Sequence, residues 1–466
     1  VEPLTLAEVA AVTGGRLHRT DGAALVTAVE FDSRAVGAGG LFLALPGERA
    51  DGHDFAAAAV AAGAVGVLAG REVDAPAVVV PPVPERRGGT YLAAHDPDGH
   101  GAAVLAALGR LAGHAVRSLP GLAVVGVTGS SGKTSTKDLL AAVLAPLGPT
   151  VAPPGSFNNE LGMPWTALRA DAGTRHLVLE FSARGTGHIA ALAAAVPPRI
   201  GVVLNVGRAH LGEFGSVEAI AQAKGELVEA LDEDGVAVLN ADDPAVAAMG
   251  IRTRARVVLT GVHPNAHVRA EDVAVHAGRA RFTLVAPQGR ARVALRLVGP
   301  HHVGNALAAA AVALELGGTV EGVAAALTAA QPASRWRMEL AERPDGVTVV
   351  NDAYNANPES MRAALTALES LGTGRRTWAV LGRIAELGES SATAHAEVAA
   401  FAREHGVDEL VAVGAPEYGA AREAPDVAAA LDLLRAELRP GDVVLVKASR
   451  SAGLERLAAA LLEEAS

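Results

Sequence analysis

Residues 127–138 read VTGSSGKTSTKD, directly after the apolar run GLAVVGV. A loop that wraps phosphate in the strict pattern G-x-x-x-x-G-K-[ST] carries glycine six residues before its lysine. Counting back from Lys133, that place is Val127, and the nearest glycine is Gly126. The second half of the pattern is intact. Gly129 and Gly132 let backbone N–H groups approach phosphate oxygens, and a helix opening near Lys133 turns its positive end toward them. Lys133 supplies a point charge at the β/γ-phosphates, and the Thr134 hydroxyl suits Mg²⁺. An ordinary Gly/Ser turn is the competing reading. Strand, G-K-T and helix fall in the order that nucleotide binding needs.

Outward from the loop, the pattern of strand, loop and helix repeats. HLVLEFS, RIGVVLNV and GVAVLNADDP each end an apolar run in polar residues, as in an α/β sheet whose strand C-termini carry the site. An amphipathic helix is expected over residues 102–116, and GLAVVGV reads as a buried parallel strand. The first ~85 residues alternate short strands and helices, and PPVPERRGGTYLAAHDPDGHG reads as a linker. GVTVVNDAYNANP, TWAVLGR, ELVAVG and DVVLVKAS repeat the α/β logic near the C-terminus. Three α/β domains are expected, at residues 1–98, 99–331 and 332–466.

With 466 residues, several domains are the natural prior. Half the residues are hydrophobic and the mean hydropathy is +0.27, which supports large buried cores. Forty basic residues stand against 51 acidic ones, for a net charge of −11. No Lys/Arg block stands out, so a sequence-independent nucleic-acid footprint is not expected. The absence of cysteine excludes disulfides, thiolate metal sites and cysteine nucleophiles, and it suits a reducing cytosol. VEPLTLAEVAAVTGGRL lacks the basic and apolar regions of a signal peptide, and no run of about 18 apolar residues offers a membrane span. A soluble, cytoplasmic protein is expected.

Three residues outside the loop carry chemistry on two readings. Glu180 ends the apolar HLVLE, where a metal-holding carboxylate belongs beside a phosphate loop, and where a surface glutamate would also sit. His210 in NVGRAHLGEFGS also follows a strand end, as a ligand or as a packing residue. Lys224 in AIAQAKGEL reads by itself as a solvated helix lysine.

The ordered set TGSSGKTST, SFNNELGMP, LEFSARGTGHI, NVGRAHLGEFGS, QAKGEL, LNADDP, SRWRMEL, NDAYNANPESM and VKASRSAGLE resembles the Mur ligase family. The family carries the short T-G-x-x-G-K-T loop, and the likeness runs from about residue 5 to 460, essentially the whole chain. It implies a three-domain α/β architecture with a central P-loop ATPase-type domain, a C-terminal Rossmann-like domain and an N-terminal domain for a UDP-linked substrate. The activity implied is ATP-dependent amide ligation in the cytoplasm, by a monomer, during peptidoglycan precursor synthesis. NDAYNANPESM and DSRAVGAGGLFLALPGERADGHDF resemble the branch that joins D-alanyl-D-alanine to a UDP-N-acetylmuramoyl-tripeptide.

The resemblance also assigns roles. Gly129, Ser130, Ser131, Gly132, Lys133, Thr134 and Ser135 would hold ATP, with Asn305 at the adenine, Arg335 at the phosphates from the hinge and Asp352 at the ribose. Thr134, Glu180 and His210 would hold Mg²⁺, and Lys224 would be carbamylated. Lys133, Glu180, His210 and Lys224 form the catalytic set. Ser33 and Arg34 resemble the UDP end of the substrate site, Asn158 and Asn159 its central-domain wall, and Asn355 and Arg383 the substrate side of the C-terminal domain. Two departures stand out. Phe181 and Ser182 replace the usual Met and Gly or Ala, and Arg383 reverses the usual charge beside the expected amine cleft. A paralogue joining another carboxylate and amine, and a nucleotide-binding regulatory module without ligase activity, are the competing readings. Retention of Glu180, His210 and Lys224 argues against the module.

Overall fold

A computed structural model describes residues 2–48, 50–83, 95–209 and 211–463. Part of the expected linker (residues 84–94) and His210 lie outside the described residues. The chain forms two compact units.

The first unit comprises Val1–Gly126, Gly148–Gly201 and Glu229–Gly235. A five-stranded sheet orders Arg16–His18, Ala77–Val79, Ala64–Ala69, Gly40–Leu43 and Ala28–Glu30, and only its first junction is antiparallel. Helix Leu6–Thr13 opens with a capping box between Thr5 and Glu8, which satisfies two backbone donors at once. The helix expected over 102–116 spans His100–Arg117, and its apolar stripe is buried. The same unit holds the parallel pair Thr150–Val151 and His176–Glu180. Both Ala123–Thr128 and His176–Glu180 are buried on each face, which is why they read as unbroken apolar runs.

The second unit comprises Val127–Leu147, Val202–Val228 and Val236–Ser466. Strands Val236–Asn240, Arg256–Gly261 and Val268–His276 run parallel. Strands Arg279–Ala286 and Gly289–Val298 then continue the sheet antiparallel. The βαβ reading does not anticipate this meander, although RARFTLVA alternates polar and apolar residues as a one-sided strand does. Helices His302–Glu315 and Val320–Ala329 cover its apolar face.

A six-stranded sheet follows, ordered Glu339–Glu342, Thr348–Asn351, Val443–Lys447, Thr377–Gly382, Glu409–Val413 and Arg422–Ala424, antiparallel only at its first junction. Helices Pro358–Leu371 and Ser391–Glu404 bury one face, and Val427–Glu437 and Glu455–Glu463 the other. Asn357 caps the first of these helices, with Pro358 at its first position, so the ANPES sequence both starts the helix and fixes the turn before it. Among the described residues no helix is long and apolar enough to cross a membrane.

Candidate active site

The loop after Ala123–Thr128 is held by its glycines and by a brace from elsewhere in the second unit. Gly132 has φ +83°, and a Cβ there would lie 2.7 Å from Asn305 Oδ1, so both backbone and space demand glycine. The Ser131 N–H donates to Asn205 Oδ1 at 2.9 Å, and Asn205 Nδ2 donates back to the Ser131 carbonyl at 3.2 Å. The Ser130 N–H donates to the Asn205 carbonyl at 3.1 Å. From the C-terminal part of the unit, Asn357 Nδ2 donates to the Ser130 carbonyl at 3.2 Å. Helix Lys133–Leu144 starts directly after this turn, and Lys133 Nζ donates to the Gly129 carbonyl at 2.6 Å. This geometry fits phosphate, because a Cβ at Gly132 would fill the cradle beside the helix N-terminus.

A cavity of about 120 Å³ lies against this loop, lined by Ser131, Gly132, Ser135, Asn305, Asp352 and Lys447 among others. It brings together three of the expected ATP contacts: the loop, Asn305 and Asp352. Asn305 sits on the first turn of helix His302–Glu315, where its Nδ2 pairs with His302 Nδ1 at 3.3 Å. Burial pushes the His302 imidazolium well below its usual range and keeps the ring neutral. Asp352 Oδ1 accepts from the Met338 N–H at 3.0 Å, and Oδ2 from Lys447 Nζ at 2.6 Å. Lys447 is 2 % exposed, and its burial lowers the ammonium pKa against the opposing pull of Asp352.

The hinge arginine at the loop is Arg337. Arg335 is exposed. Arg337 Nη2 donates to Thr134 Oγ1 at 3.2 Å, and its guanidinium lies 4.1 Å from the Tyr354 ring centroid. The strap 334–338 reaches this pose through two non-glycine residues in the left-handed region, Trp336 at φ 59° and Met338 at φ 50°. Asp138 Oδ2 anchors its start by accepting from the Ser334 N–H at 3.0 Å. SRWRMEL offers two arginines, and only the strap's backbone decides which faces the loop. Arg337→Ala should weaken nucleotide binding by about tenfold, the order expected for one hydrogen bond plus a cation–π contact. Arg335→Ala should leave it near wild type. Calorimetric titration with a nucleotide checks both, and the reverse ranking would remove Arg337 from the site.

Lys224 is not a solvated lysine. It is 5 % exposed on helix Val217–Glu229, and burial, with Lys133 adding charge repulsion, holds its ammonium pKa well below the usual range. A signal for this was present in the sequence. Ile220, Ala223, Lys224 and Leu227 fall at i, i+3, i+4 and i+7, so the lysine stands on the apolar stripe.

In the first unit, Glu180 is 0 % exposed, which excludes the surface-glutamate reading. Its Oε2 accepts from Ser156 Oγ and Asn158 Nδ2, each at 3.3 Å. Asn159 Oδ1 accepts from the N–H groups of Leu161 and Gly162 at the start of helix Gly162–Ala167. Phe31 packs on Phe157 at 6.1 Å and on Trp165 at 5.5 Å between ring centroids, which sets the FDSR turn beside the loop carrying Asn158. Ser33 is half-buried there. Arg34 is exposed, and its guanidinium holds the Asp32 carboxyl down at about 2. Phe181 is a core residue, so its departure from the family pattern is a matter of packing.

In the C-terminal sheet, Asn355 and Arg383 are exposed. The Asn355 carbonyl accepts from Lys447 Nζ at 2.9 Å, and Lys447 lines the cavity beside the glycine loop. Arg383 follows strand Thr377–Gly382 at the rim of a separate open cavity of about 840 Å³.

Fold and loop together define a nucleotide-dependent α/β enzyme of P-loop type. Three family descriptions match along the chain: "Mur ligase family, catalytic domain" over 25–114, "Mur ligase middle domain" over 127–313, and "Mur ligase, glutamate ligase domain" over 336–450. The chain belongs to the Mur ligase family. It is similar to the UDP-N-acetylmuramoyl-tripeptide–D-alanyl-D-alanine ligase of Mycobacterium tuberculosis, at 55 % identity over 99 % of this chain and 98 % of the relative. The Escherichia coli ligase of the same name is 34 % identical over 99 % and 98 %. Among solved structures, MurF from Acinetobacter baumannii superposes with a TM-score of 0.85 at 31 % identity, covering 99 % of both chains. MurF ligase from Thermotoga maritima in complex with ADP gives 0.78 at 29 % identity, covering 94 % of this chain and 97 % of that one.

Proposed function

We propose that this chain uses ATP to join D-alanyl-D-alanine to a UDP-N-acetylmuramoyl-tripeptide in peptidoglycan precursor synthesis. The observation that carries this reading is the convergence of the glycine loop, Asn305 and Asp352 on one cavity in a chain that matches ligases of that name along its whole length. In the reaction, a carboxylate oxygen of the tripeptide attacks the γ-phosphorus and ADP leaves. The dipeptide amine then attacks the acyl carbon of the resulting acyl phosphate, losing a proton as inorganic phosphate departs. The first step brings anion to anion, so cancelling charge is the enzyme's main task. Lys133 and the loop N–H groups would do this at the phosphates, and Arg337 would hold the Thr134 side chain in place. Thr134, Glu180 and His210 would hold Mg²⁺, which supplies further charge neutralisation at the triphosphate.

Lys224 would carry a carbamate. Its burial favours the free amine, and a free amine nitrogen can attack CO₂ and lose a proton to give the anion. Ser33, Arg34, Asn158 and Asn159 would line the UDP-sugar side, and Asn355 and Arg383 the amine side. Domain seams near residues 98 and 332, a cytoplasmic location and a monomeric state belong to the same reading. Phosphate release from ATP tests it, with each substrate supplied singly and together. Turnover should require the nucleotide-sugar tripeptide, and full turnover the dipeptide as well. Full turnover with another amine would assign a paralogue, and hydrolysis indifferent to both substrates would sink the ligase reading.

A further inference from the structure

The antiparallel meander carries a charged surface made of none of the residues assigned above to ligation. One face of strands Arg279–Ala286 and Gly289–Val298 buries Phe282, Leu284, Val293 and Leu295 beneath helices His302–Glu315 and Val320–Ala329. The same two strands expose Arg279, Arg281, Arg290, Arg292 and Arg296. Arg281 lies opposite Ala294, and Thr283 opposite Arg292. Arg281 and Arg292 are therefore diagonal neighbours on one face, with side chains roughly 7 Å apart at their bases. Glu271 answers Arg290 at 2.8 Å. Among the described residues, no carboxylate forms an ion pair with Arg279, Arg281, Arg292 or Arg296. Like charges on adjacent strands destabilise a sheet. In a chain with 51 acidic residues to 40 basic ones, this concentration of unmatched arginine is a local arrangement and not a product of composition.

We propose that this arginine face docks on an anionic phospholipid bilayer, its guanidinium groups pairing with headgroup phosphates. A broad sheet face meets a plane along its whole width, and guanidinium binds phosphate through paired donors. Two carboxylates of the next strand border the face: Asp272, which accepts from Thr283 Oγ1 at 3.1 Å, and Glu271, which pairs with Arg290. They leave the five arginines in excess, and more distant acidic groups are screened beyond about 8 Å at physiological salt. Single-stranded nucleic acid would call for exposed aromatic rings to stack on. Phe282, the only Phe, Tyr or Trp of these two strands, is in the core.

The test is co-sedimentation of the full chain with large unilamellar vesicles at about 0.1 M salt. Vesicles with about 30 % phosphatidylglycerol should pellet at least about fivefold more protein than pure phosphatidylcholine. Raising the salt to about 0.5 M should remove the difference. The triple variant R281E/R292E/R296E should fall to the phosphatidylcholine level, whereas the corresponding lysine triple keeps most of the binding. Unchanged thermal melting of both variants would show that the fold is intact. Equal pelleting with neutral vesicles, or binding indifferent to charge reversal, would overturn the proposal. A gel shift of duplex DNA or RNA without vesicle binding would give the face to nucleic acid instead, and also overturn it. None of these outcomes depends on the ligase reading.

Discussion

Replacing Lys133 by alanine should lower kcat for ligation by about 10²-fold or more, the order lost when one preorganised electrostatic contact to developing charge is removed. The side chain is half-buried at the N-terminus of helix Lys133–Leu144, and its ammonium donates to the Gly129 carbonyl a short way back along the loop. Loss of the charge should therefore leave the thermal melting point near wild type. Steady-state kinetics separates the two ways this could act. If Lys133 works on the transition state, kcat and kcat/KM fall together, whereas a purely binding role raises KM for ATP alone. Near-normal activity in the alanine variant would remove the loop from the mechanism.

The second large effect belongs to Lys224. Lys224→Ala should be nearly inactive, by about 10²-fold or more, because it would remove the amine that the proposed carbamate forms on, and with it an anionic group in the site. A carbamate on Lys224 would also make wild-type activity depend on dissolved CO₂, so stripping the buffer should lower turnover and bicarbonate should restore it. A short carboxylate such as acetate should partly rescue the alanine variant by refilling the anionic position. Lys224→Met, which keeps the buried volume, separates chemistry from folding, since it should fold normally and stay inactive. Carbon-13 bicarbonate should give the wild type a carbamate resonance that the variants lack. Wild-type activity indifferent to bicarbonate, with no such resonance, would show that the amine is unmodified.

What could be read from the sequence was chemistry written in contiguous residues. The GSSGKTS loop names its own function because a turn, a helix start and a lysine are all local. The buried strands around it were legible for the same reason, as unbroken apolar runs. Asn205 was not, although it braces Ser130 and Ser131, because its role arises only when the end of strand Ile200–Val203 folds beside the loop. That Arg337 and not Arg335 lies against Thr134 was not legible, because a helix or strand pattern says nothing of the left-handed Trp336 between them. The arginine face was hidden differently. Its charges alternate with apolar residues along two strands, so no basic block forms until the strands pair.

The strap that holds Arg337 has a mechanical consequence. Left-handed backbone at a bulky residue costs on the order of 1–3 kcal/mol, and Trp336 and Met338 both carry that strain. Neither position is filled by glycine, since Arg450 stands 4.3 Å over the Trp336 ring and Met338 is packed in the core. Of the connections that keep Arg337 on Thr134, this short segment is the one already under tension, so it acts as a fuse. Warming or mild denaturant should release it first, while helix Val320–Ala329 before it and the paired strand Glu339–Glu342 after it stay in place. The enzyme then loses its grip on the phosphate loop before it loses its sheets, and a sample with native circular dichroism can already be one in which the arginine has let go.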